Sequence, residues 1–290
     1  PTVGEALPTQ TNSTIITSTG LADQSTQQPK LCHCPQCQAP PPRPSAPPSP
    51  ATESNCERLQ EWLLNYYRSS TFNMCEHQQL PLMDGIPMQL MMNSDAEPVA
   101  HHKPISVPLH WQEEVEASLN QDVALGVLEP VPVGEPVTWS HSVVVSREEW
   151  KTMPKVDFQK LNLHTTCETH HTQSPFDQAC SVPHNKKKTV FDCWNGYHSV
   201  PLHEDDRHLT TFIIPWGQYH YNTAPQGYIA SGDGYSQRYD EVVSQIPNKI
   251  NCIDDTLLWA DDISSSFHQA VNWLHGITLH PSKFVFAVDT

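Results

Sequence analysis

Apolar residues follow two regimes along the chain. From Pro1 to about Ser54 they keep no helical or strand period, and the segment closes on Ala39-Pro40-Pro41-Pro42-Arg43-Pro44-Ser45-Ala46-Pro47-Pro48-Ser49-Pro50. Such sequence has too few apolar groups to offset the entropy of ordering, so a disordered or polyproline-like leader is expected over residues 1–54. Beyond it periodicity sets in. Ser54-Asn55-Cys56-Glu57 has the form of a capping box, and Leu59, Trp62, Leu63 and Tyr66 then share one helical face. This short helix opens a connector over residues 55–107, within which Met88-Gln89-Leu90-Met91-Met92 reads as packing or a short strand.

Further along, Trp111, Val115, Leu119 and Val123 recur at every fourth position and Gly126 supplies a stop, which predicts a second helix. Trp139 to Val145 and Lys155 to Phe158 read as strands, and Ile229 to Val243 as a helix whose start Gly232 and Gly234 weaken. Near the C-terminal end, two apolar runs, Lys249 to Ile253 and Thr256 to Trp259, flank Asp254-Asp255, the pattern of a hairpin with both acids at its turn. From Thr189 onward strands and helices alternate without the βαβ rhythm of a parallel sheet. An α+β fold with an antiparallel sheet follows.

Composition changes the picture in two ways. The 290 residues include 27 prolines, are 37% hydrophobic and have a mean hydropathy of -0.49, so part of the chain is not core-forming. A formal net charge of -16 runs against binding a phosphate backbone, which Lys and Arg normally drive, and the 17 histidines recover charge only below neutral pH. Nine scattered cysteines, with no apolar stretch long enough for a signal or membrane helix, point to reduced thiols in an intracellular compartment, the cytoplasm first with the nucleus left open, and to no membrane partner. Cys32, Cys34 and Cys37 with His33 could clip a metal ion, but Cys-x-Cys-x-x-Cys fits no common zinc-finger spacing.

The candidate chemistry lies in the acids. Asp254 and Asp255 alone are what any polar turn holds. Phe191-Asp192 ends another apolar run and leads into Trp194-Asn195-Gly196-Tyr197. Three carboxylates at neighbouring strand ends could hold two hard cations for in-line phosphoryl or nucleotidyl transfer.

A series of motifs in fixed order carries a resemblance. Gly126-Val127-Leu128-Glu129-Pro130 precedes Trp139-Ser140, then come Val156-Asp157-Phe158-Gln159 with Leu161-Asn162, Phe191-Asp192 with Gly196-Tyr197, Pro225-Gln226-Gly227, Asp254-Asp255, and Leu279 with Pro281 and Lys283. From about Asn55 the chain resembles the reverse transcriptase region of a Ty3/gypsy-type LTR retrotransposon Pol polyprotein. The resemblance implies a right-hand polymerase over residues 108–290, with fingers to about Ser181 and an antiparallel palm sheet backed by helices. It implies an RNA-directed DNA polymerase acting by two-metal nucleotidyl transfer to a primer 3′-hydroxyl, with an RNA or DNA template, a primer and deoxynucleoside triphosphates as partners. Asp192, Asp254 and Asp255 would hold two Mg²⁺ ions. Tyr197 would stack under the nucleotide sugar, Gln226 would lie against the incoming nucleotide, Gly227 would permit close backbone approach, and Lys283 would stand near the pyrophosphate. On the residues alone, Tyr197 also reads as a core tyrosine after a glycine turn, and Lys283 as a solvated surface lysine.

The chain departs from the family pattern in four places. The fingers turn should hold a glycine and an arginine four residues before Asp157, where Met153 stands. Codons for Glu148 to Lys155 can be chosen that, read one base later, encode Lys-Asn-Gly-Lys-Pro-Cys-Arg-Lys, so a local pair of compensating frame changes is expected. The helix before the lysine motif is short, Cys252 replaces an aromatic residue, and the chain is expected to be truncated before a thumb. The alternatives are an inactive retroelement relic, a palm-based interaction protein and, on composition alone, an acidic His-rich metal binder.

Overall fold

The structure, a computed structural model, describes residues 39–72, 81–148, 151–166, 174–193, 196–252, 254–275, 279 and 281–289. Its first half runs α1 (Cys56–Tyr66), α2 (Leu109–Ala124), β1 (Leu128–Pro130), β2 (Val143–Glu148), β3 (Lys151–Val156), α3 (Gln159–Asn162) and α4 (Pro175–Ser181). Then follow β4 (Lys187–Asp192), α5 (Glu204–Arg207), β5 (Phe212–Ile214), β6 (Gly217–Tyr221), α6 (Ser231–Val243), β7 (Lys249–Cys252), β8 (Asp255–Ala260), α7 (Ile263–Trp273) and β9 (Val285–Val288). Mixed helices and antiparallel sheets are what the periodicity predicts. Among the described residues no helix is long and apolar enough to cross a membrane.

A four-stranded sheet in the order β7-β8-β4-β9 positions the acids. Alternate residues of each strand face opposite sides, so Thr189 and Phe191 of β4 and Thr256, Leu258 and Ala260 of β8 turn to the helices and are buried. They meet Tyr235, Tyr239 and Val243 of α6, Phe267 and Val271 of α7, and Leu59 and Leu63 of α1. Phe191 anchors this layer, its ring 5.7 Å from Trp273 and 5.0 Å from Phe284, both stacked. Truncating such a residue to alanine costs about 3–5 kcal/mol. α7 starts sharply because the Asp262 carboxylate accepts the Ser265 backbone N–H at 2.8 Å.

A second core joins Val115 and Leu119 of α2 to Leu128, Phe212 and Ile214 of the three-stranded sheet β1-β6-β5. β2 and β3 form a separate hairpin in continuous register from Val143↔Val156 to Glu148↔Lys151. The side chains of residues 147–153, Met153 among them, lie outside the described residues.

Several boundaries differ from those read in the sequence. The capping box does not form. The Asn55 amide donates to the Pro50 carbonyl, and a 3-10 turn over Glu53–Asn55 leads into α1 with no side-chain cap. β3 ends at Val156 rather than reaching Phe158, because the Asp157 carboxylate accepts the Gln159 N–H and turns the chain into α3. Trp139 is a buried core residue ahead of β2, not part of that strand. α6 begins at Ser231, two residues after Ile229, since the preceding turn is held in another conformation. Gly126 stops α2 as expected, with φ of 76°. Residues 39–54, assigned to the leader, are described and lie against α1, whereas the Cys32, Cys34 and Cys37 cluster lies outside the described residues.

Candidate active site

Two strands and a turn bring the acids together. Asp192 is the last residue of β4 and Asp255 the first of β8, and they are direct partners across the antiparallel pair. Partners on adjacent strands project to the same face, so two carboxylates stand side by side on the face away from the helices. Like charges in that position repel. Asp254 occupies the turn between β7 and β8, and its carbonyl accepts the Cys193 N–H at 2.8 Å, which fixes the turn against the end of β4. Cys252 pairs with Asp255 from the other side.

Burial and mutual repulsion set the electrostatics. Asp192 is buried, Asp254 half-buried and Asp255 exposed. Burial, then the charges of Asp192 and Asp255, push the Asp254 carboxyl up from its ordinary value, while Lys283 opposes the shift. Asp255 is raised in the same order, by burial and by Asp192. The Lys283 ammonium donates to a carboxylate oxygen of Asp192 at 2.7 Å, and this bond raises the Lys283 pKa. The two residues are 91 positions apart in the chain. A 3-10 turn over Pro281–Lys283 delivers the lysine to the sheet end.

The acids fit a hard divalent cation. Oδ1 of Asp254 is buried without a hydrogen-bond partner, a costly position for a carboxylate oxygen that a cation would relieve. All three donors are oxygens, as Mg²⁺ prefers. Among the described residues, no three His, Cys, Asp or Glu side chains form a ready-made metal cage. Mg²⁺ does not require one, since it keeps several waters and commonly completes its shell with substrate phosphates.

Tyr197 lies beside this cluster in the turn Gly196–Ser199 and is half-buried, its hydroxyl pKa raised by burial and by Asp254. Its ring meets that of Tyr235 edge-on at 5.7 Å. Gln226 and Gly227 belong to a different element, the exposed turn before α6. Gly227 has φ of 90°, a conformation that favours glycine, so its identity there is explained by the turn itself.

Two residues matter here that sequence reasoning did not single out. A Cβ on Gly196 would lie 2.5 Å from Asp254 Oδ1 and 2.7 Å from the Tyr235 ring, so only glycine lets this turn approach the acid. Asn162 clamps the turn before α6, its amide donating to the Gly227 carbonyl and accepting the Ile229 N–H, each at 3.0 Å. The signal for Asn162 was present in the Gln159 to Asn162 motif, but its partner lies 65 residues away.

Comparison with known proteins points the same way. Residues 145–287 match the family model for reverse transcriptase (RNA-dependent DNA polymerase). The enzymatic polyprotein of Carnation etched ring virus is 24% identical over 173 residues, 58% of this chain and 26% of that protein. That of Cauliflower mosaic virus (strain D/H) is 24% identical over 199 residues, 66% of this chain and 29% of that protein. The chain thus spans less than a third of these relatives. Among solved structures, the prototype foamy virus protease-reverse transcriptase superposes with a TM-score of 0.71 at 18% identity, covering 87% of this chain and 34% of that one. A foamy viral protease-reverse transcriptase in complex with double-stranded DNA gives 0.70 at 15% identity, covering 82% and 41%. Sequence and fold agree that this chain is similar to reverse transcriptases, over residues 145–287 by sequence and over most of its length by fold.

Proposed function

We propose that the chain is the fingers and palm of an RNA-directed DNA polymerase from a Ty3/gypsy-type retrotransposon, with Asp192, Asp254 and Asp255 holding two Mg²⁺ ions. The observation that carries this reading is the cross-strand pairing of Asp192 with Asp255 beside the buried, unpartnered oxygen of Asp254. Bound there, divalent cations would lower the pKa of a primer 3′-hydroxyl and offset the charge of a triphosphate. The protein's own groups divide the remaining work. The β4–β8 register keeps two carboxylates abreast, and a misplacement of about 1 Å would cost roughly a hundredfold in rate. Lys283, its pKa raised, stays protonated at neutral pH and presents positive charge where a pyrophosphate would leave. Tyr197 offers a ring next to Asp254 for the nucleotide sugar, and Gln226 is exposed on a turn whose backbone Asn162 holds rigid.

Primer extension on an RNA template with Mg²⁺ tests the reading. Extension lost in Asp254→Asn supports it, and extension unchanged by that substitution contradicts it. A second reading, a palm that folds and binds a partner without polymerising, draws on the net charge of -16 and on Met153 in the fingers hairpin. A chain that binds neither metal nor nucleotide at Asp192 would favour it.

A further inference from the structure

The proline-rich stretch ahead of α1 is stiffened by its own composition. Proline fixes its own φ, and a residue before proline is driven to extended conformations. Ala39, Pro40, Pro41 and Arg43 all precede a proline, so Ala39 to Pro44 has little conformational freedom to lose. The chain runs without a bend through Pro44, then bends at Ser45–Ala46 and again at Pro48–Ser49. Burial along it is selective. Pro41, Pro44 and Pro47 are half-buried, while Pro40, Pro42, Arg43, Ser45, Ala46 and Pro48 are exposed. Within the unbent part, Pro41 and Pro44 stand three residues apart, the repeat of a polyproline II helix, whereas Pro47 and the half-buried Ser49 lie beyond the first bend.

Both ends of the stretch are held. The Tyr66 hydroxyl donates to the Pro42 carbonyl at 2.8 Å. Downstream, the Thr52 N–H and the Asn55 amide both donate to the Pro50 carbonyl at 2.9 Å. Tyr66 is one half of an aromatic ridge on α1, its ring stacked on Trp62 at 4.4 Å and 16°. Arg43 reaches the rim of a cleft of about 740 Å³ bordered by Trp259, His268 and His275. A ring hydroxyl bound to a proline carbonyl, beside stacked aromatics and with the next residue's basic side chain at the rim of a cleft, is the chemistry by which grooves read proline-rich ligands.

We infer that the Trp62–Tyr66 ridge is a recognition surface for Pro-x-x-Pro segments and that residues 39–50 occupy it as its intramolecular ligand. The inference stands apart from the polymerase reading, because none of these residues belongs to the acid cluster. A tethered ligand acts at an effective concentration in the millimolar range and excludes competitors. A second proline-rich segment therefore gains access only when the resident one is released.

The test uses the full chain and a fluorescein-labelled synthetic peptide of residues 39–50, followed by fluorescence anisotropy. The unmodified chain is expected to bind the peptide at least tenfold more weakly than a Pro41→Ser, Pro44→Ser double variant, whose own strap is weakened. Adding Tyr66→Phe to the double variant, which keeps the ring and removes the hydroxyl, is expected to reduce binding about fivefold. Near-ultraviolet circular dichroism confirms that each variant keeps its packing. Equal binding by the unmodified and doubly substituted chains, or binding indifferent to Tyr66→Phe, overturns the inference.

Discussion

Lys283 and Asp192 meet at 2.7 Å at the end of the four-stranded sheet, with the lysine side chain 60% exposed and the aspartate 9%. The asymmetry decides what the pair does. Asp192 is sealed in and needs a cation, whereas Lys283 can leave for solvent at little cost. Lys283→Met is expected to destabilise the fold by roughly 1–3 kcal/mol, the range for losing a hydrogen bond to a charged group. Added Mg²⁺ should restore part of the loss. Urea unfolding with and without the ion checks both statements.

Asp254 and Asp255 give a pH dependence of defined sign. Their pKa values are raised in the folded protein, so the folded state binds these protons more tightly than the unfolded chain. Ionisation therefore costs stability, and the cost grows as pH rises from the ordinary carboxylate range, about 4, through the raised values. Asp254→Asn should stabilise the chain at pH 7 by on the order of 0.5–2 kcal/mol, as relief of a strained functional site commonly does. Thermal melts should show the gain shrinking as pH falls through the raised range, as the folded acid of the unmodified chain takes up its proton.

Gly196→Ala tests the close approach at the acid turn. The added methyl would fall within 3 Å of both Asp254 Oδ1 and the Tyr235 ring, and overpacking of this kind costs about 1–3 kcal/mol. Because the acid itself is displaced, Mn²⁺ affinity should fall together with stability. A Gly134→Ala control has nothing within 4 Å of the new methyl and should leave metal affinity unchanged.

Asn162→Ala should release the turn before α6. Two hydrogen bonds are lost, so roughly 1–2 kcal/mol of stability goes with them. Nucleotide affinity, measured by fluorescence titration with a labelled deoxynucleoside triphosphate, should fall while Mn²⁺ binding at the acids persists. Asn162→Asp, which keeps the acceptor for the Ile229 N–H and loses the donor to Gly227, should fall between the two.

What could be read from the sequence were elements with strong local signals. The four-residue repeat from Trp111 to Val123 made α2, and apolar runs around Asp254-Asp255 made the β7–β8 hairpin. Period-two alternation explains why Asp192 and Asp255 share a face once the strands pair, but the register that sets them opposite is a long-range property of β4 and β8. The boundaries that failed were decided by side chains acting beyond their own element. Asn55 bonded backwards to Pro50 rather than capping α1, and Asp157 ended β3 by turning onto Gln159. Composition over residues 39–54 measures how much that segment can bury by itself. It does not register what a stiff segment gains from Tyr66 and Asn55. The Lys283–Asp192 pair spans 91 residues and left no local trace.

Mn²⁺ binding followed by electron paramagnetic resonance, with a deoxynucleoside triphosphate present, tests the central claim most directly. The account predicts two ions held by the unmodified chain, with at least one lost in Asp192→Asn and in Asp254→Asn. Identical Mn²⁺ binding by the unmodified chain and both variants would show that these carboxylates do not form a metal site.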